Sequence, residues 1–318
     1  PTPRPLRATD GTITFTDDLG RTVELPAQID KICPSGFTAQ QVLLTMAPDK
    51  MVGLAQELND DQLKIFGEKF ADYPVFGAVL GAKDDLNREA VAAAAPQVII
   101  DTGEAKKGAK EDLDALQEQL GIPVIFIEAK LSDYGAAYER LGELLGMENA
   151  AASCPPTAPT CTTRPSPHGE HSRNERVRMA YLLGDNGLNA IAKTSFQAAV
   201  VDMVADNVVV VDDVSGKGNG NEISLEQIAL WNPDLIVFQT GSIYDTVGDD
   251  PAWAGIAAID SGNYYQVPNV PYCWLNNPPT VNQLMGLQCC RACCTPSSTT
   301  TTCTRRSQAT SRRSTATT

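Results

Sequence analysis

Apolar and polar positions alternate through GTITFTDDLGRTVELP, residues 11–26, and the run is broken once by Asp-Leu-Gly-Arg, a pattern that predicts an entry hairpin. KIC and PSGFTAQQVLLTMAP then predict a short strand, a loop and a helix, and KMVGLA and YPVFGAV predict short extended pieces. From residue 87 the period changes. NREAVAAAAPQVIID predicts a helix capped by Asn87 and stopped by Pro96, followed by a strand. KEDLDALQEQLGIPVIFIE repeats that grammar, and SDYGAAYERLGELLG predicts a helix from a Ser132 cap to a Gly146 terminator. After residue 176, RVRMAYLLG reads as a strand, TSFQAAVVDMVA as a helix and NVVVVDD as a buried strand. SLEQIALWNPDLIVFQTG is again helix then strand, YYQVP and VPYCW are short closing pieces, and TVNQLMGLQ begins a helix. Alternating helices and strands of this kind make a mainly parallel α/β sheet.

One clause occurs twice. EAVAAAAPQVIIDTG starts at Glu89 and EQIALWNPDLIVFQTG at Glu226, an offset of 137 residues (226 − 89). Each copy runs from a glutamate through an apolar stretch to a proline, then a polar residue, three or four apolar residues, a second polar residue and a Thr-Gly pair. Ser224 with Gln227 forms an S-x-x-Q capping box that sets the second helix start. Such a duplication, in a chain of 318 residues, predicts two similar α/β lobes. A glutamate in a first helical turn complements the helix dipole, worth about 0.3–1 kcal/mol. Matched glutamates in two related lobes also suit a pair of acidic handles for a partner. In open α/β sheets a ligand sits beyond the carboxyl ends of the strands, so two facing lobes would enclose it, with the loops after the strands as lining.

Charge narrows the partners. The chain has 25 basic and 39 acidic side chains, which argues against nucleic acid or an anionic membrane surface. No run approaches the ~18 apolar residues of a membrane span. The opening PTPRPLRATDG lacks a signal's apolar core, so an export signal is expected to have been removed already.

Two stretches break the pattern. Residues 153–174 and 289–318 hold seven of the nine cysteines, lose all hydrophobic periodicity and are rich in Pro, Thr, Ser and Arg. The second carries five arginines and no acid, so residues 1–288 hold 20 basic (25 − 5) and 39 acidic side chains, near −19. The CC-x-x-CC spacing suits a metal knuckle or disulfide cluster, and the composition suits a low-complexity tail. The reading we prefer is translation one nucleotide out of phase: with permissible codons, TCTTRPSP at 160–167 becomes YVYDEALA and TTTTC at 299–303 becomes YDYDV. The coding DNA decides this.

With these residues in view, the chain resembles the substrate-binding proteins of ABC importers for iron–siderophore complexes, haem and cobalamin. DDLGRTVELP, the two Glu-helix-Pro-strand units, GIPVIFIE and WLNNPPTVNQLMGLQ carry the resemblance, which covers roughly 10–151 and 176–288. It implies an α/β fold of two Rossmann-like lobes with mainly parallel sheets, joined by one long helix near 148–170, with a ligand cleft between the lobes. The prolines at 155, 156, 159, 165 and 167 conflict with that helix, at ~3 kcal/mol each in a helix interior. The implied organisation is a disordered start (1–9), an N-terminal lobe (10–130), a connector (131–175), a C-terminal lobe (176–288) and an anomalous tail (289–318). The resemblance also implies that Glu89 and Glu226 dock on arginines of the permease. No catalytic residue, resident cofactor or bare metal site is expected. The implied partners are an ABC permease and a small metal chelate, with the chain expected to be a monomer outside the cytoplasm, periplasmic or lipid-anchored.

Loop position nominates the ligand lining. In the first lobe these are Ser35, Gly36, Phe37, Ala82, Lys83, Thr102, Gly103 and Lys106; in the second, Asp185, Asn186, Gly187, Lys193, Lys217, Asn219, Tyr244, Tyr272, Trp274 and Asn276. Trp274 and Phe37 suit either a flat ligand or a core cap. Lys83, Lys106, Lys193 and Lys217 suit either an anionic chelate or plain solvation. Cys33 and Cys273 read as soft-metal ligands or packed thiols. Both histidines, 168 and 171, fall in the first anomalous stretch, so a metal arriving inside an organic chelator fits better than a His-rich site. The rival classes are an α/β enzyme and an adhesion module. SGKGNGN at 215–221 lacks both phosphate-loop spacings, and no G-x-S-x-G elbow is present.

Overall fold

The computed structural model describes residues 7–9, 11–79, 86–148, 176–216, 218–294 and 304–305. The chain divides into two compact units, the first from the described residues of Pro1–Glu170 with Val270–Tyr272 and Asn276–Leu284, the second from the described residues of His171–Asn269 with Cys273–Leu275 and Met285–Thr318.

The first unit opens with an antiparallel sheet in the order β1 (Arg7–Thr9), β2 (Thr12–Thr16), β3 (Thr22–Pro26). Strict alternation turns Ile13, Phe15, Val23 and Leu25 inward. The turn between β2 and β3 is held by Asp17, whose Oδ1 accepts from the backbone N–H groups of Leu19 (3.1 Å) and Arg21 (2.9 Å). Gly20 supplies the positive φ (76°). The buried Arg21 then anchors the hairpin: it donates to Val124 O (2.7 Å) and pairs through Nε with Asp114 (2.9 Å). The expected hairpin is thus tied to the neighbouring sheet through DDLGR.

That second sheet is parallel, in the order β4 (Ile32–Pro34), β5 (Val98–Gly103), β6 (Val124–Glu128). Its helices are α1 (Phe37–Met46), α2 (Asp60–Phe66), α3 (Arg88–Ala94), α4 (Ala109–Leu120) and α5 (Tyr134–Leu145). The helix α4 buries Leu113 and Leu116 and ends at Gly121, and α5 ends at Gly146, both glycines left-handed. The cap of α5 is Asp133, one residue beyond the expected Ser132, whose hydroxyl donates to the Asp133 carboxylate (2.9 Å). KMVGLA and YPVFGAV contribute isolated bridges, Ile32 to Met51 and Leu54 to Val75, instead of strands.

The second unit has one seven-stranded sheet. Its order is β10 (Asn221–Glu222), β8 (Asn189–Ala190), β7 (Arg178–Leu183), β11 (Leu235–Phe238), β12 (Tyr264–Gln266), β13 (Thr304–Arg305), with β9 (Asp206–Asn207) also on β7. Strands β7, β9, β11 and β12 are parallel, whereas β8, β10 and β13 add antiparallel edges, so this sheet is more mixed than expected. Its helices are α6 (Ala199–Val204), α7 (Leu225–Trp231), α8 (Ala257–Asp260) and α9 (Gln283–Cys294). Of NVVVVDD only Asn207 lies in a strand: Val208 and Val209 enter the core, but Val210 is 64% exposed. The run is a strand end followed by a loop. VPYCW forms no strand. Helix α9 continues through 289–294, six residues assigned above to an anomalous tail, and buries Cys289 and Cys290. The connecting helix near 148–170, the anomalous stretch 153–174 and residues 295–303 and 306–318 lie outside the described residues.

Candidate ligand site and docking helices

The repeated clause is a repeated structure. Helices α3 and α7 each have seven residues and superpose in number by 137, since 88 + 137 = 225 and 94 + 137 = 231. Asn87 Oδ1 accepts from Ala90 N–H (3.0 Å), and Ser224 Oγ accepts from Gln227 N–H (3.3 Å), while Gln227 Oε1 accepts from Ser224 N–H (2.9 Å) to complete the capping box. Both helices stop on a left-handed residue that is not glycine, Ala95 (φ 48°) and Asn232 (φ 40°), each directly before a proline. Glu89 and Glu226 occupy the same first-turn position, both exposed. The Ser224 hydroxyl and the glutamate's own backbone N–H hold the Glu226 carboxyl below its usual range, so it stays charged.

In the first unit, β4 and β5 deliver Ser35, Gly36, Phe37, Thr102 and Gly103 to the carboxyl end of the parallel sheet. Ser35 N–H donates to Ile100 O (3.0 Å), and its hydroxyl donates to the buried Asp101 carboxylate. Burial pushes the Asp101 carboxyl up to about 6, against the Ser35 hydroxyl, the Thr102 backbone N–H, Lys106 and Arg21, which all favour its charged form. Thr102 Oγ1 is buried without a hydrogen-bond partner, as is Gln41 Oε1 on α1. A buried polar atom left unpaired costs about 1–3 kcal/mol. Gly103 takes φ 141°, and a β-carbon there would touch Thr38 at 3.6 Å. Phe37 is 42% exposed, so it caps the end of α1 at the surface and is not core. Lys106 is exposed. Lys83 and Ala82 fall outside the described residues, as does Lys217 of the second unit.

Other expected residues have structural duties. Asn186 and Gly187 form the turn between β7 and β8: Asn186 Oδ1 accepts from Leu188 N–H (3.1 Å), and Gly187 (φ 71°) lies where a β-carbon would meet Ile243 at 2.8 Å. Tyr244 is in the core, edge-on to Tyr264 with ring centroids 5.8 Å apart, so its ring is not loop lining. Lys193 pairs with Asp206 (2.9 Å). Tyr272 and Asn276, expected in the second lobe, belong by packing to the first unit, and Trp274 to the second. The reason is contact with residues distant in sequence: Tyr272 tilts onto Phe66 (6.2 Å), and Gln62 donates to Pro271 O (2.8 Å). Burial pushes the Tyr272 hydroxyl up to about 12, with Gln40 beside it pulling the other way. Trp274 is half-buried and Asn276 fully buried.

Asp101, Gln40 and Gln41 escaped the loop criterion because they lie within elements. The signal was present in VIIDTG, where one carboxylate interrupts a strand whose six residues are all buried. Cys33 is a packed thiol, pushed up to about 12 by burial, which opposes thiolate ligation at neutral pH. Among the described residues no cluster of three or more His, Cys, Asp or Glu side chains is placed to hold a metal ion. No helix among them is long and apolar enough to cross a membrane.

No family model matches the chain, and no curated protein matches it in sequence. Solved structures do match, and the likeness is one of fold, shared with solute-binding proteins such as the following. An ABC transporter solute-binding protein from Sulfurospirillum deleyianum is similar over 89% of each chain with a TM-score of 0.80 at 23% identity. The molybdate-binding protein MolA of Haemophilus influenzae matches 86% of this chain and 90% of its own, with a TM-score of 0.64 at 17% identity. The catecholate-siderophore-binding protein VctP of Vibrio cholerae matches 87% of this chain and 99% of its own, with a TM-score of 0.62 at 16% identity. At these identities the likeness establishes the fold.

Proposed function

We propose that this chain is the extracytoplasmic binding protein of an ABC importer, capturing a chelated metal such as a ferric siderophore, haem or cobalamin and delivering it to the permease. It acts by binding, without catalysis, as a monomer in the periplasm or anchored by lipid at the cell surface. The observation that carries this reading is the doubled capped helix, which presents Glu89 in one unit and Glu226 in the other at the same structural position. A fold shared with solute-binding proteins supports it. In the first unit the proposed ligand contacts are the strand-end residues Ser35, Thr102 and Gly103, with Lys106 three residues beyond the end of β5. Thr102 Oγ1 supports that role, because a buried hydroxyl without a partner is satisfied by a ligand atom.

Tryptophan fluorescence titration with ferric siderophores, haem and cobalamin tests the reading. Saturable quenching by one of them supports it. Saturation by molybdate alone would move the ligand class to oxyanions, and turnover of a nicotinamide or nucleotide substrate without chelate binding would overturn it in favour of an enzyme. Charge reversal at Glu89 and Glu226 together is expected to reduce stimulation of the cognate permease ATPase with ligand affinity unchanged.

A further inference from the structure

Among the described residues the most exposed large hydrophobic side chain is Leu230, at 83%. A single exposed leucine is ordinary on a protein surface. Its position is what distinguishes this one. Leu230 stands four residues after Glu226 on α7, so the two side chains share one helix face. The matched helix allows a direct comparison, because the numbering offset pairs Glu89 with Glu226, the buried Val91 with Ile228, Ala92 with Ala229 and Ala93 with Leu230. The acid and the inward-facing residue keep their character between the copies, whereas the outward position grows from a methyl to an isobutyl group. Helix formation gives no reason for the change, since alanine is the better helix former. Core packing gives none either, since the side chain faces water.

We infer that Leu230 is an apolar anchor for the same partner that receives Glu226, a permease surface with a cationic group and, one helical turn away, an apolar recess. The inference rests on the docking role proposed for the glutamates. The charges suit it: Glu226 is the only charged residue of α7 and its charge is held by the Ser224 cap, whereas in α3 Glu89 is flanked by Arg88, which donates to Gln119 (3.0 Å). The unit carrying α7 thus offers an acid with an apolar neighbour, and the unit carrying α3 offers an acid with small methyl groups. Docking is therefore one-sided in its hydrophobic part. Removing a leucine side chain from a recess is worth about tenfold or more in affinity.

The test is stimulation of the cognate permease ATPase in nanodiscs, titrated with the full chain carrying Leu230→Ala, Leu230→Met, Ala93→Ser or the double charge reversal at Glu89 and Glu226. Circular dichroism confirms that each variant folds. The expected result is a rise of about tenfold in half-stimulating concentration for Leu230→Ala, near-normal behaviour for Leu230→Met and Ala93→Ser, and loss for the charge reversal. Loss for the charge reversal with a normal Leu230→Ala would overturn the anchor and leave the docking role standing. Equal effects of Ala93→Ser and Leu230→Ala would overturn the one-sidedness. If the charge reversal also stimulates normally, the docking role and the anchor fall together.

Discussion

Position 101 in the first unit and position 238 in the second are the same place in the repeat, 137 residues apart, and they hold opposite chemistry. Asp101 is a buried carboxyl bonded to Ser35. Phe238 is a buried ring that meets Trp253 edge-on at 5.9 Å and Tyr264 at 6.3 Å. One backbone plan therefore carries a buried carboxyl–hydroxyl pair near its strand end in one unit and an aromatic cluster in the other. Caps, helix length and the left-handed stop are set locally and recur. What the strand end does depends on the elements packed over it, and there the two units part.

The largest effect is expected at the aromatic end. Trp253→Ala removes a side chain that is 2% exposed and should destabilise the second unit by about 3–5 kcal/mol, read from urea unfolding. A change below about 1 kcal/mol would mean that the cluster is not the core it resembles. The polar end should respond with the opposite sign. The folded Asp101 carboxyl is raised from 3.8 to about 6, so between those values the folded state holds more protons than the unfolded one. Its contribution is greatest at low pH, declines as pH climbs from about 4 to 6 and is flat above. Asp101→Asn removes that slope and keeps an acceptor for Ser35, so stability at pH 8 should rise by about 2–3 kcal/mol. Unchanged pH dependence in the variant would show that another group is responsible.

The local features should give smaller and matched effects. Asn87→Ala and Ser224→Ala each lose a cap bond, and each should cost about 1 kcal/mol. At the helix stops the two copies should diverge again. Ala95→Gly relieves a left-handed alanine and should stabilise by about 0.5–1 kcal/mol. Asn232→Gly gains less, because asparagine tolerates that conformation, and it loses the bond that Asn232 Oδ1 accepts from Ala257 N–H (3.1 Å), so its net effect should be a small loss. Thermal melts of the pair check the sign difference.

Much of this was legible in the residues. The entry hairpin, both capped helices, Pro96 as a stop and Gly121 and Gly146 as terminators follow from short-range rules that act within a few residues. Other expectations failed for reasons that lie beyond that range. NVVVVDD has the composition of a buried strand, yet only its first residue lies in a strand, beside β7, and Val210 faces solvent. Tyr244 follows a strand as a lining residue would, but Tyr264 is placed to receive its ring. Tyr272 lies in the second half of the chain and packs with the first, because Phe66 meets its ring and Gln62 donates to the carbonyl of the preceding Pro271.

From its sequence alone the chain determined where the two repeated helices begin and end, that one helix–strand unit is used twice, and that each copy carries a glutamate in its first turn, since capping, proline and periodicity are local physics. Tertiary structure decided which strand ends became polar and which aromatic, and with which unit residues 270–284 pack. Those outcomes depend on side chains distant in sequence excluding water from one another, and no short stretch of residues contains that information.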